Sequence, residues 1–187
     1  MSRILKKHVG NHMMHLDVED GGISAVLYAQ GQRERAFMGL LQEEVKNGMV
    51  CVDLGSNIGY TTLYMLQNDG PDGLVYAIEP DPRNLKLLQQ NIEENNYENC
   101  EVVHCAISDN NGEIDFWEAS KPNLSSVTKN KYSTNKISVP CFTLGKFLED
   151  RRYPNFIKMD VEGHEVKIFE GGLDYFSKNE GYTSILI

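Results

Sequence analysis

Three short apolar runs of the chain each carry a carboxylate at or near their carboxyl end: Met49-Val-Cys-Val-Asp-Leu54 with Asp53, Leu74-Val-Tyr-Ala-Ile78 followed by Glu79, and Phe156-Ile-Lys-Met-Asp160. In an open parallel sheet, ligands bind outside the carboxyl ends of the strands where the strand order reverses, so these acids stand where chemistry is expected. After the first run comes Gly55-Ser-Asn-Ile-Gly59, whose glycines let the turn tighten and the backbone approach a ligand. Amides opening the next helix would offer donors and the positive end of a dipole. Alone, such a turn fits an ordinary strand-to-helix connection as well as it fits a binding site.

The neighbours weight the choice. Glu79 follows Gly59 by about 20 residues, which puts its carboxylate where it accepts from both hydroxyls of a ribose. The plainer reading, an acid flanking a helix start before Pro80, leaves the coincident glycine turn unexplained. A dinucleotide site wants a second glycine to admit the pyrophosphate, but Ser56 and Asn57 occupy this turn and Asp53 adds negative charge beside it. An acidic notch suits a cofactor that carries a cation, and S-adenosylmethionine carries an ammonium and a sulfonium.

Transfer of a methyl group from sulfonium is an in-line displacement, so the protein chiefly holds the acceptor and, for a hydroxyl, helps remove its proton. Asp160, Glu162 and His164 cluster where that acceptor would arrive, with Asp160 and Glu162 as the first candidates for catalysis. The competing reading has Glu162 and His164 capping the following helix. Lys158 shares a strand face with Asp160 and is expected to form a structural ion pair with it.

Strand-like runs alternating with helical patterns imply parallel βαβ units, hence a doubly wound, Rossmann-like α/β fold, with residues 1–30 packing on a domain of residues 31–187. Phe37, Leu40, Leu41 and Val45 recur at helical spacing up to Gly48, and a second helix runs from Tyr60 to about Asn68. Asp69-Gly-Pro-Asp-Gly73 is a turn; Asp81 is an N-cap with Pro82 at the first helical position, and Leu85, Leu88 and Ile92 form that helix's buried face. Val102-Val-His-Cys105 reads as a third strand, and Asn111-Gly112 turns the chain into Ile114-Asp-Phe-Trp117. Residues 118–136, rich in Ser, Asn and Lys, are expected to be a surface loop and candidate lid. Ile137-Ser-Val-Pro-Cys141 is placed at a sheet edge because of Pro140. A helix carrying Val166, Ile168 and Phe169 should end at Gly171-Gly172, before a strand at Ser184-Ile-Leu-Ile187.

Composition sets bounds. The chain has 187 residues, 41% of them hydrophobic, enough for one domain with a sizeable core. With 18 Lys and Arg against 27 Asp and Glu the net charge is -9, which repels phosphate backbones and anionic lipid. The expected partner is a small-molecule acceptor rather than nucleic acid or membrane, with a homodimer as the candidate assembly. No apolar run reaches the ~20 residues that cross a bilayer, and the start lacks an apolar signal core, so a cytoplasmic location is expected. Cys51, Cys100, Cys105 and Cys141 show no C-x-x-C pairing and read as buried reduced thiols; His12-Met-Met-His15 has no further ligand at metal spacing, and no metal is assigned.

Val52-Asp-Leu-Gly-Ser-Asn-Ile-Gly-Tyr60, Ala77-Ile-Glu-Pro-Asp81, Ala106-Ile-Ser-Asp109 and Ile157-Lys-Met-Asp-Val-Glu-Gly-His-Glu165 resemble the ordered motifs of the FkbM family of methyltransferases, from about Gly22 to the last residue. The Asp-Val-Glu-Gly block is the most particular to that family. The resemblance implies a class I methyltransferase fold using S-adenosylmethionine, with Asp53, Gly55, Asn57 and Gly59 at the methionine end, Glu79 at the ribose and the Ala106 region at the adenine. Ser56 stands where the family often has alanine and counts with Asp160 among the cofactor-binding residues. Related sheets have seven strands, so the last two are expected to be absent here. The strand end lacks the Pro-Pro-aromatic sequence of base amino-methylating enzymes, and the implied activity is O-methylation of a small hydroxylated molecule such as a sugar or secondary metabolite. An NAD-dependent oxidoreductase and a catalytically silent cofactor-binding module are the alternatives.

Overall fold

A computed structural model describes residues 3–178 and 181–187. Strands β1 (Ile4–Val9) and β2 (His12–Asp17) form a hairpin whose turn places Gly10 at φ 59°, in the left-handed region. Helices α1 (Ile23–Gln30) and α2 (Arg35–Glu44) follow. Next come β3 (Val50–Leu54), α3 (Tyr60–Asp69), β4 (Leu74–Ile78), α4 (Pro82–Glu94) and β5 (Cys100–Val103). After β6 (Ala106–Ser108) and β7 (Gly112–Ala119), a 3-10 turn at Pro122–Leu124 leads to β8 (Ser133–Thr143) and α5 (Leu144–Leu148). The chain continues through β9 (Phe156–Met159), α6 (Glu165–Lys178) and β10 (Ser184–Leu186).

The central sheet is wholly parallel, in the order β10-β9-β3-β4-β5. From β3 the chain steps outward one way to β4 and β5 and the other way to β9 and β10, so the order reverses between β3 and β9: a doubly wound, Rossmann-like arrangement. Every residue of β3 is buried, because apolar clusters cover both faces. One cluster joins Cys51 and Val75 to Leu63 of α3 and Leu88 of α4; the other joins Val52, Tyr76 and Ile157 to Phe147 of α5 and Ile168 of α6. The hairpin is fastened by side-chain amides of α4: the backbone amides of His15 and Met13 donate to Asn91 Oδ1 and Asn95 Oδ1 at 2.6 and 3.0 Å. No helix among the described residues is long and apolar enough to cross a membrane.

Several local expectations are corrected. Asp81 does cap α4, accepting from the Arg83 amide, but the buried face of α4 is Asn84, Leu87, Leu88, Asn91 and Ile92. On α2 the core side is Met38 and Leu41 while Leu40 is exposed. The third strand is Cys100–Val103, and Cys105 lies beyond it. Ala106–Ser108 forms a separate three-stranded sheet with the following hairpin, in the order β6-β8-β7. That hairpin takes up both ends of the expected 118–136 loop, leaving residues 120–132 between its strands, pinned by a bridge from Trp117 to Ser126. Pro140 therefore lies on a middle strand, yet opposite Glu113 and one residue before the pairing with β6 begins at Cys141, so its missing amide costs no ladder bond on that side.

Gly171 and Gly172 do not end α6; the helix runs through them to Lys178. A Cβ on Gly171 would lie 2.3 Å from Ser108 O, and one on Gly172 would lie 3.3 Å from Leu144 Cδ2. The pair lets α6 press against β6 and α5, which outweighs the roughly 1 kcal/mol that each glycine costs a helix interior.

Candidate active site

A cavity of about 1030 Å³, counting its open mouth, lies over the carboxyl ends of β3, β4 and β9, at the reversal of strand order. Its floor is the Gly55–Gly59 turn. Gly55 (φ 75°), Asn57 (φ 53°) and Gly59 (φ 90°) all take the left-handed region, and a Cβ on Gly55 would sit 2.1 Å from Asp160 O. A side chain there would drive apart the ends of β3 and β9. The expected amide donors are otherwise engaged: Gly55 N and Ser56 N donate to Ile78 O, Asn57 N to Glu79 Oε2, and Ile58 N to Asn57 Oδ1. The turn offers a ligand a close backbone approach at Gly55, flanked by Ser56 and Asn57, rather than a nest of free amides.

Gly55, Ser56, Asn57, Glu79, Ala106, Asp160 and Glu162 all line the cavity; Asp53 and Gly59 stand behind its wall. Asp53 is fully buried: Oδ1 forms an ion pair with Lys158 Nζ at 3.0 Å, and Oδ2 accepts from Thr61 Oγ1 and Thr62 Oγ1 at 2.8 and 2.7 Å. The ammonium of Lys158 also donates to Gly55 O at 2.9 Å. Lys158 therefore pairs with Asp53, not with Asp160, because the register sets Asp53 directly opposite Lys158 on adjacent strands. The negative charge expected from Asp53 is cancelled at its source.

Glu79 is 4% exposed and shows its carboxylate to the cavity. Burial pushes its carboxyl up to about 7, against hydrogen bonds from the amides of Asp81 and Asn57 and from the Asn84 side chain. The same group thus closes the β3 turn and presents an acceptor to whatever lies beside it. Ile78, Ile107 and Phe116 give the neighbouring wall an apolar surface.

Across the mouth, Asp160 and Glu162 are exposed carboxylates on a tight connection in which Glu162 takes φ 55° and Gly163 φ 90°. A left-handed glutamate is strained, and such strain gathers at functional sites. Burial and then Asp160 raise the Glu162 carboxyl, while Arg33 on the facing wall opposes the shift. Glu165, rather than Glu162 or His164, braces this connection, its Oε1 accepting from Val161 N and Gly163 N at 3.4 and 3.3 Å. His164 turns to β6, with Nε2 2.8 Å from Ser108 Oγ.

One guanidinium joins the two sides. Arg83 grips Asp81 through Nε and Nη2, donates from Nη1 to Ala119 O at 3.0 Å and from Nη2 to Ser125 Oγ at 3.1 Å. It ties the strand end carrying Glu79 to the 120–132 loop, whose Pro122, Asn123 and Ser125 line the cavity. Nothing in the residue pattern marked Arg83 or Arg33, whereas a lysine inside the apolar run Phe156–Met159 was a visible sign of a buried partner.

Residues 53–181 match the family model described as the methyltransferase FkbM domain. The chain belongs to the FkbM methyltransferase family. Among curated proteins it is similar to "Methyltransferase 1" of Beauveria bassiana, 28% identical over 142 residues, covering 64% of this chain and 57% of that protein. It is also similar to a protein-L-isoaspartate O-methyltransferase of Methanococcoides burtonii, 34% identical over 61 residues, covering 33% of this chain and 30% of the relative. The chain thus spans about half, or less, of the length of the curated relatives it matches. A solved precorrin-6y C5,15-methyltransferase from Geobacter metallireducens aligns with a TM-score of 0.47 at 12% identity, over 75% of this chain and 55% of that one.

The cofactor of an FkbM methyltransferase domain is S-adenosylmethionine. The residues present fit that group: a buried carboxylate at the end of β4 for a ribose, a bare glycine floor, an apolar wall for a planar base, and uncancelled acids at the mouth opposite its cationic end.

Proposed function

We propose that the protein is an S-adenosylmethionine-dependent O-methyltransferase acting in the cytoplasm on a small hydroxylated molecule, such as a sugar or secondary metabolite. The observation that carries this reading is the single cavity that runs from the buried carboxylate of Glu79 to the exposed carboxylates of Asp160 and Glu162. Bound there, the cofactor supplies an electrophilic methyl group. Glu79 accepts from the ribose hydroxyls, and Ala106 with its apolar neighbours faces the adenine. Gly55, Ser56 and Asn57 floor the methionine end, where Asp160 faces the positive charge. Asp53 and Gly59 act from behind, through Lys158 and through the shape of the turn.

Asp160 and Glu162 are the catalytic carboxylates that receive the acceptor, orienting its hydroxyl oxygen towards the methyl carbon. The net charge of -9 supports a small molecule over nucleic acid or an anionic membrane. Calorimetry is the first test: heat with S-adenosylhomocysteine and none with NAD is expected, and the reverse sinks the reading. Labelled methyl groups should then pass to hydroxylated acceptors; label on amines alone would reject O-methylation.

A further inference from the structure

We infer that His164 is the general base of methyl transfer, held in one tautomer by a chain of hydrogen bonds through Ser108 to Asp109. This inference rests on the O-methyltransferase reading above and extends it to the proton.

Ser108 Oγ has one hydrogen. It lies 3.1 Å from Asp109 Oδ1 and 2.8 Å from His164 Nε2. A carboxylate is the stronger acceptor, so the hydroxyl hydrogen goes to Asp109 and Ser108 Oγ must accept from the ring. Nε2 then carries the proton of the neutral imidazole and Nδ1 keeps its lone pair, since the bond made by one ring nitrogen fixes the state of the other. Among the described residues Nδ1 makes no hydrogen bond, and His164 is part of the cavity wall beside Asp160 and Glu162. Asp109 is itself fixed by Lys167 of α6 at 2.9 Å, and α6 is held against β6 by Gly171. The relay thus belongs to a closely packed joint.

Charge around the ring supports the assignment. Burial lowers the His164 pKa from 6.5, against the pull of Asp109 and Glu165 and with a small push from Lys167; Asp160, Glu162 and Arg33 line the same cavity. A neutral imidazole with a free lone pair is a better-matched base near neutral pH than a solvated carboxylate. In the reaction the acceptor's hydroxyl proton passes to Nδ1 while an electron pair of the oxygen forms the new O–C bond. The electrons of the breaking C–S bond stay on sulfur, and the imidazolium is stabilised by Asp109 through Ser108.

Nitrogen-15 NMR of the whole chain, with His164→Gln to assign the ring, tests the geometry without any acceptor. The expected result is the Nε2–H tautomer with a titration midpoint below 6.5, and loss of that tautomer's dominance in Ser108→Ala. Methyl transfer is then followed with a panel of sugars and phenols. His164→Gln keeps a donor towards Ser108 but has no base, and its kcat should fall on the order of 10²-fold or more, with S-adenosylhomocysteine affinity within about twofold of the parent chain. An Nδ1–H tautomer, or His164→Gln with undiminished kcat, overturns the inference alone. Absence of S-adenosylhomocysteine binding to the parent chain, or label on none of the panel, overturns the underlying reading and this inference with it.

Discussion

The two ends of the cavity are built on opposite principles. At the Glu79 end the charged groups are buried and held by the protein: Asp53 by Lys158 and two threonines, and Glu79 by two backbone amides, while the amides of Gly55 and Ser56 donate to Ile78 O. At the Asp160 end the carboxylates are exposed, the backbone is strained at Glu162, and the facing wall is a loop. On the function proposed above, the first end is a rigid mould for the cofactor. The second leaves charge unspent and backbone under tension, the condition of a place where a bond is to be made.

The sharpest way to break this contrast is to attack the buried pair. Lys158→Met leaves the Asp53 carboxylate without its cation, and stability should drop by about 3–5 kcal/mol, measured by urea unfolding. Asp53→Leu added to it should recover most of that loss, because an apolar pair of similar volume avoids the stranded charge. A Lys158→Met chain as stable as its parent would show that the Glu79 end is not braced in this way.

The opposite end should respond in the opposite sense. Glu162→Gly relieves the left-handed strain and should stabilise the fold by up to about 1 kcal/mol, while kcat falls on the order of 10²-fold. Loss of stability together with activity would remove the distinction between the two ends. Where α6 packs on β6, Gly171→Ala places a Cβ against Ser108 O, and a loss of about 1–3 kcal/mol is expected from thermal melts.

The smallest effect concerns pH. Because the folded carboxyl of Glu79 sits at about 7 and the unfolded one near 4.5, the folded state holds a proton that the unfolded chain has lost. Stability of the free protein should therefore decline as pH rises from about 4.5 to 7, and the decline should be smaller in Glu79→Gln. Affinity for S-adenosylhomocysteine should rise over the same interval, since ribose hydroxyls donate to the ionised form. Glu79→Gln should bind about tenfold more weakly at pH 8, with that rise abolished.

Legibility in the sequence follows the same division. Val50–Leu54 and Leu74–Ile78 were readable because strands covered on both faces must be continuously apolar, and Asp81-Pro82 because a cap acts locally. Asp53 is visible in the sequence but its partner is not, since the facing of Lys158 and Asp53 depends on the register of strands some hundred residues apart. Gly171-Gly172 misled for a related reason: a local rule reads glycine as a helix terminator, while here the surface of β6 decides. The loop before β8 was overestimated because its alternation is polar on one side and apolar only at Ile137, Val139 and Cys141. The wall facing Asp160 depends on Arg33, Arg83 and Asn123, three residues with no shared pattern that tertiary folding alone gathers.

Arg83 has a consequence for how such a scaffold diversifies. It takes one carbonyl from Ala119, at the end of β7, and one hydroxyl from Ser125 of the 120–132 loop; the rest of that segment is free of its grip. Insertions or exchanges between those anchor points would remodel the loop side of the cavity, where the acceptor is proposed to bind, and leave the turn and Glu79 in place. With the Trp117–Ser126 bridge as the other fastening, the proposed acceptor side can change under mutation while the Glu79 side keeps its shape.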